Sequence, residues 1–168
     1  VRNDDPQELR AAGDALLARQ QALANGVNIV AFGEQALVPE GVIVDALLGT
    51  GLGGDVRGDY IHAIEAINTC RAPVQAVDIP SGLCSDTGRV LGLAVHADLT
   101  VTFIGLKRGL FTLHAPDYTG AVEFSDLAVP AEVYAAVPVK CSRLDLQPLL
   151  ERLPARPATA PRPGSRSR

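Results

Sequence analysis

Val44-Asp45-Ala46-Leu47-Leu48-Gly49-Thr50-Gly51-Leu52-Gly53-Gly54-Asp55 passes from an apolar run into a glycine-rich one, and the fold turns on that junction. The apolar run Val42–Leu48 has the length of a buried strand and is interrupted by Asp45. Gly49–Gly58 then holds five glycines in ten residues, more than a single tight turn needs. Beyond it, Ile61, Ile64 and Ile67 recur at the spacing of one helix face. Pro73–Asp78 is a further apolar strand, ending in Ile79-Pro80-Ser81-Gly82. Strand, glycine loop, helix and strand in that order make a βαβ unit, whose strands are parallel.

The alternation continues outward. Leu99–Ile104 reads as a strand with β-branched content, and Ala121–Phe124 as an edge strand. A long loop is expected up to about Asp98, and short turns over residues 105–120. Ala131–Ala135 and Leu144–Leu153 read as short helical segments. On the other side, Asp5-Pro6-Gln7-Glu8 is a helix start, with Asp5 as cap, Pro6 in the first turn and Glu8 closing a capping box. Leu9, Ala12, Leu16 and Leu23 carry that helix toward Gly26, and Val27–Phe32 reads as a short buried strand. The expected class is α/β: a layer sandwich with parallel strands and right-handed crossovers.

Composition bounds the function. The 168 residues suit one domain, and 47% are apolar, enough for a core. Trp and Met are absent, so Val, Ile, Leu and Ala must fill it. A net charge of −4 gives no reason to expect nucleic acid. Residues 141–168 hold six Arg against Asp145 and Glu151, and five of the twelve prolines lie from Pro148 onward. This predicts a folded domain over 1–140 and a Pro/Arg-rich linker or tail over 141–168. Three cysteines without a CxxC pair argue against a zinc site or disulfide framework and suit a reducing cytoplasm. The first residues are acidic and polar, unlike a signal peptide, and no apolar run approaches the ~20 residues of a membrane span.

Two stretches carry candidate chemistry. In a doubly wound sheet, ligands sit beyond the carboxyl ends of the strands, where the Gly49–Asp55 loop falls. Its glycines let backbone N–H groups approach a phosphate or nucleotide, and a following helix N-terminus favours an anion there. The plainer alternative is a strand-to-helix turn. Asp45, inside an apolar strand, must find either a cation or several hydrogen-bond donors. Asp78 and Ser81 lie three residues apart at another strand end, on a loop shaped by Pro80 and Gly82. On adjacent strands, Asp45 and Asp78 would face one crevice, and with Ser81 would offer oxygen ligands to a hard cation or an acid/base group. Lys107, just past a strand, could meet a phosphate, pair with a carboxylate or lie free on the surface. His62, His96 and His114 show no ligand spacing, and Cys84 sits in a polar loop. Gly49-x-Gly51-x-x-Gly54 also matches the dinucleotide fingerprint of oxidoreductases, with Asp55 set against a pyrophosphate at the expected helix start.

The ordered segments VDALLGTGLGGDVRGDY, PVQAVDIPSG, SDTGRVLGLAV, ADLTVTFIGLKRGLFT and PDYTGAVEFSDL resemble the N-terminal epimerase domain of the YjeF family, from about Pro6 to Val139. The resemblance implies a Rossmann-like three-layer α/β/α sandwich with a mostly parallel sheet, usually dimeric. It implies epimerisation of hydrated NADH and NADPH (NADHX and NADPHX) between R and S forms, with one potassium ion per site. Some members of the family stand alone, and others, in bacteria, are fused to an ADP-dependent dehydratase, whose linker Leu144–Pro157 resembles. Carried over, Asp45 and Ser81 correspond to potassium ligands. Gly49, Thr50, Gly51, Leu52, Gly53, Gly54 and Asp55 correspond to the loop that holds the hydrated nucleotide. Asp78 corresponds to a substrate contact and is the expected acid/base group, and Tyr60 is expected to line the same pocket.

Three departures accompany it. The family's earlier GNNGGDG loop, which supplies a further potassium ligand and phosphate contacts, has no counterpart here, so the first βα units are expected to be missing. Cys84 stands where the family commonly has Asp, and Ala115 where it has Gly. Two other readings stand beside the epimerase: a non-catalytic remnant or interaction module, inactive alone, and an ordinary NAD-dependent oxidoreductase.

Overall fold

The structure, a computed structural model, describes residues 13–33, 37–138, 141–144 and 146–152. Helix α1 is Asp14–Ala24, strand β1 Ile43–Asp45, helix α2 Asp59–Thr69 and strand β2 Val74–Val77. Strands β3, Leu99–Phe103, and β4, Ala121–Ser125, follow, with 3-10 turns at Arg108–Phe111 and Ala115–Asp117 between them. Helices α3, Ala131–Ala136, and α4, Leu146–Leu150, come last. The chain forms two compact units that part between Ala128 and Val129, upstream of the tail expected at 141. The second contains α3 and α4, short helices without a buried residue in α3.

In the first unit the strands form one sheet in the order β1-β2-β3-β4, every pair parallel. This is the Rossmann-like α/β class expected from the alternation of elements. Parallel neighbours in chain order need a crossover between each pair, and α2 supplies one between β1 and β2. Its isoleucine stripe does the packing: Ile64 and Ile67 are buried with Val56, Val74 and Val95, and Ile43, Leu48 and Leu52 pack against them. A second cluster, Ile79, Leu83, Ala94, Leu110 and Ala115, lies under the segment that follows β2. Along β2 and β3, Val74, Ala76, Thr100 and Thr102 are buried, while the alternate residues Gln75, Val77, Leu99 and Val101 are half-buried.

The strands stop earlier than periodicity predicts, for local reasons. β1 ends at Asp45 because that carboxylate accepts the N–H of Leu47 two residues on, turning the chain. β2 ends at Val77 because Asp78 takes φ 71°, outside the strand region. β3 ends at Phe103 before Ile104, at φ 64°.

The N-terminal expectations fare differently. The capping box at Asp5–Glu8 lies outside the described residues. α1 forms but buries none of its leucines, so its apolar spacing has no core to face among the described residues. Val27–Phe32 is not a strand: Val27, Ile29, Val30 and Phe32 are exposed, and no described segment pairs with them. An apolar run becomes a strand only when a neighbour satisfies its backbone groups. The long loop expected after β2 is present, with no helix or strand between Val77 and Leu99, and it packs into the core, with Ile79, Leu83, Leu91, Ala94 and Val95 buried. Backbone hydrogen bonds from Leu91 N to Gly82 O, 2.8 Å, and from Val95 N to Ser81 O, 2.9 Å, fold it onto itself. Ala115 is buried without a left-handed φ, so this backbone does not require the family's glycine.

Candidate functional site

Asp45 ends β1 and Asp78 follows β2, and these strands are adjacent and parallel, with Asp45 beside Ala76. Both carboxylates therefore stand at the carboxyl end of the sheet, where an open α/β sheet binds ligands. They are held by separate sets of donors.

Asp45, 1% exposed, is gripped by the loop after β2. Ser81 N–H donates to Oδ2 at 2.8 Å, and the Ser81 hydroxyl donates to Oδ1 at 2.6 Å. The hydroxyl also accepts the N–H of Leu48 at 2.9 Å and lies 3.3 Å from Leu48 O. Its single proton goes to the carboxylate, the shorter and charge-assisted contact. The loop thus supplies the several donors that a buried carboxylate requires. Pro80 and Gly82 hold it in place: Gly82 has φ 94°, and a side chain there would meet Leu93 O at 1.9 Å. Asp45, Ser81 and the Leu48 carbonyl form an all-oxygen donor set, the chemistry a hard cation such as potassium accepts.

Asp78 belongs to the β3 side. Its Oδ1 accepts the N–H of Phe103 at 3.1 Å and the hydroxyl of Thr102 at 3.2 Å, and it pairs with the Lys107 ammonium. Burial by itself would raise the Asp78 pKa. The Lys107 hydrogen bond, the Phe103 amide, the Lys107 charge and the Thr102 hydroxyl outweigh it and hold the carboxyl below its ordinary value. Lys107 is the residue whose role sequence spacing left open; its partner lies on a different strand end.

The glycine loop sits between β1 and α2. A Cβ placed on Gly49, Gly51, Gly53 or Gly54 would meet nothing within 4 Å, and none of the four has a left-handed φ. Only Gly58, the residue before α2, needs glycine's freedom, at φ 61°. A simple turn therefore leaves four glycines unaccounted for, whereas the close approach of another molecule accounts for them. Leu52 packs toward the core and Thr50 and Asp55 are exposed. The helix begins at Asp59, not at the expected Asp55, so Gly54 stands away from the helix start. In the dinucleotide fingerprint the last glycine lies at the strand-to-helix packing, and that geometry is not met here. Tyr60 is half-exposed in the first turn of α2, with no hydrogen bond to the other candidates among the described residues. His62 pairs with Glu65 on the same helix, and His96 stacks on Tyr118 with centroids 4.2 Å apart, so neither joins the site. A separate open groove of about 870 Å³ is lined by α2 and by Ala31, Phe32, Gly33 and Leu37, and by neither carboxylate.

No helix among the described residues is long and apolar enough to cross a membrane. The model of the family described as YjeF-related protein N-terminus matches residues 5–109. The chain is 41% identical over 150 residues to a bifunctional NAD(P)H-hydrate repair enzyme Nnr of Coxiella burnetii, covering 89% of this chain and 31% of that protein. It is 42% identical over 149 residues to the protein of the same name from Escherichia coli, covering 87% of this chain and 28% of that protein. It is 48% identical over 85 residues to an NAD(P)H-hydrate epimerase of Limosilactobacillus fermentum, covering 51% of this chain and 41% of that protein. The chain thus spans less than a third of the bifunctional relatives' length. With a parallel sheet that carries its two acidic strand ends and its glycine loop on the same side, and a family match over most of its length, this chain belongs to the YjeF-related N-terminal family.

Proposed function

We propose that this chain is the epimerase part of a nicotinamide-nucleotide repair enzyme, interconverting the R and S forms of NADHX and NADPHX. The observation that carries this is the glycine loop. Gly49, Gly51, Gly53 and Gly54 are needed neither for backbone conformation nor for packing, and they lie at the strand ends beside Asp45 and Asp78. A phosphate-bearing ligand lying on bare backbone N–H groups explains them. The relatives named NAD(P)H-hydrate epimerase supply the ligand's class.

Inverting the hydroxyl-bearing ring carbon requires a bond at that carbon to open and to close again from the other face. Opening the ring C–N bond sends the hydroxyl proton to a nearby carboxylate and on to the departing ring nitrogen as an aldehyde forms, and closure on the other face reverses both transfers. Asp78 is our choice for that group. It is partly exposed at the strand end, and the Lys107 and Phe103 contacts that lower its pKa keep it in the ionised form. Potassium, when bound, would be held by Asp45, Ser81 and the Leu48 carbonyl, and would supply a fixed positive charge beside the nucleotide. Gly49–Asp55 would hold the nucleotide, with Tyr60 at its border.

Relatives called bifunctional repair enzymes support a fused dehydratase as partner in the longer protein. A homodimer, as in the resemblance, is part of the same proposal. So is the cytoplasm, which the free cysteines Cys70, Cys84 and Cys141 favour. The test is direct. The full-length protein is incubated with R-NADPHX and the S epimer is followed by chromatography. Interconversion well above the spontaneous rate is expected, and none above it rejects the proposal.

A further inference from the structure

The donors around Asp78 are one-sided. Lys107, Phe103 N–H and Thr102 all reach Oδ1, and among the described residues no donor reaches Oδ2. No buried side-chain oxygen or nitrogen among the described residues lacks a partner, so Oδ2 is not sealed in the interior. The carboxylate is pinned by one oxygen and offers the other.

Lys107 does most to set this arrangement. Its side chain is 18% exposed, against 27% for Asp78. The ammonium is itself anchored, donating to Phe103 O at 2.8 Å at the tip of β3. Both partners come from strand ends where a non-glycine residue takes a left-handed φ: Asp78 itself at 71° and Ile104, between Phe103 and Lys107, at 64°. A β-branched residue in that region is uncommon and persists only where surrounding contacts over-determine it. Here the Ile104 turn brings Lys107 back over the end of its own strand and onto its neighbour's carboxylate.

We propose that Lys107 is a positioning residue for Asp78, fixing Oδ1 so that Oδ2 is the oxygen presented to the substrate. The inference rests on the epimerase reading for its substrate, while the pairing itself does not. Lys107 acts through Asp78 and need not touch the reacting carbon. A lysine that bound substrate phosphate would instead govern affinity.

The test uses the full-length protein with Lys107→Met and Lys107→Arg. Carbon-13 NMR of the Asp78 carboxyl requires no activity, and its titration should move upward in Lys107→Met and return most of the way in Lys107→Arg. With R-NADPHX, Lys107→Met should lower kcat by roughly tenfold to a hundredfold, the scale expected when a reacting group loses its placement, with KM nearly unchanged. The acidic limb of its pH–rate profile should move to higher pH. An unmoved Asp78 titration overturns the pairing. A moved titration with normal kcat, or a loss confined to KM, overturns the positioning role. A wild-type protein that shows the titration difference but no epimerisation leaves the pair intact and removes the proposed function instead. Should Lys107→Met fail to fold, Lys107→Arg and Lys107→Gln take its place in the same measurements.

Discussion

Asp45 and Asp78 sit on adjacent parallel strands and differ in almost everything else. Asp45 is buried with both oxygens engaged by Ser81, from the loop after β2. Asp78 is partly exposed with its donors crowded on Oδ1. A carboxylate engaged at both oxygens can organise a loop, or hold a cation together with that loop, but has little room to exchange a proton. A carboxylate held at one end can exchange protons without losing its place. The same residue type at the same edge of one sheet thus suits two roles, set by which neighbours reach it.

The sharpest way to break this contrast is Asp78→Asn. The amide keeps the shape and loses the base, so kcat for epimerisation should fall by about 10²–10⁴, the range of a lost general base. Circular dichroism should be unchanged. Normal turnover would take Asp78 out of the chemistry.

Asp45→Ala should act on stability instead. It strands the buried Ser81 N–H and leaves the Ser81 hydroxyl only the longer contact to Leu48 O, at a cost of about 1–3 kcal/mol. Urea unfolding measures this, and a loss as small as that of Asp78→Asn would erase the distinction between the two carboxylates.

Two glycines extend the comparison. Gly51→Ala meets open space at an ordinary φ, so the melting temperature should hardly move while nucleotide affinity drops by roughly tenfold, or ~1.4 kcal/mol. Gly82→Ala meets Leu93 O and a φ of 94°, so folding itself should suffer. Equal behaviour of the two variants would remove the argument that the loop is shaped for a ligand.

The smallest effect is in pH. The pKa of Asp78 is depressed in the folded state, so its pairing contributes stability above the ordinary carboxylate value of 3.8. That contribution is lost as pH falls through the folded value. Wild type and Asp78→Asn should therefore differ by a constant amount near neutrality, and the gap should close only in acid. A gap that closes near neutral pH instead would contradict the Lys107 pairing.

How far these features can be read from sequence depends on how local their causes are. The isoleucine stripe of α2 and the strand cores are periodic, and periodicity is local, so they were legible. Asp45 in an apolar run announced a need for partners without naming them. Val27–Phe32 looked like a strand because its residues suit one, and is exposed because pairing partners are a property of the assembled sheet. The segment after β2 reads as a loop, being rich in Gly, Ser and Asp, and is one, yet it is largely buried because Leu110 and Ala115 of the 3-10 turns pack with its Ile79, Leu83 and Ala94. Local pattern reports what a segment can become, and neighbours decide which of those it does become.

By itself the sequence determined the α/β class, the glycine loop after the first strand, and the two acidic strand ends, since spacing and residue type suffice for these. Only the tertiary structure decided that Ser81 closes on Asp45, that Lys107 closes on Asp78, and that the glycines stand in open space. Each of those depends on strand order and on where a turn such as Ile104 sends the chain, and contacts between distant residues are set by how strands assemble, not by the residues next to them.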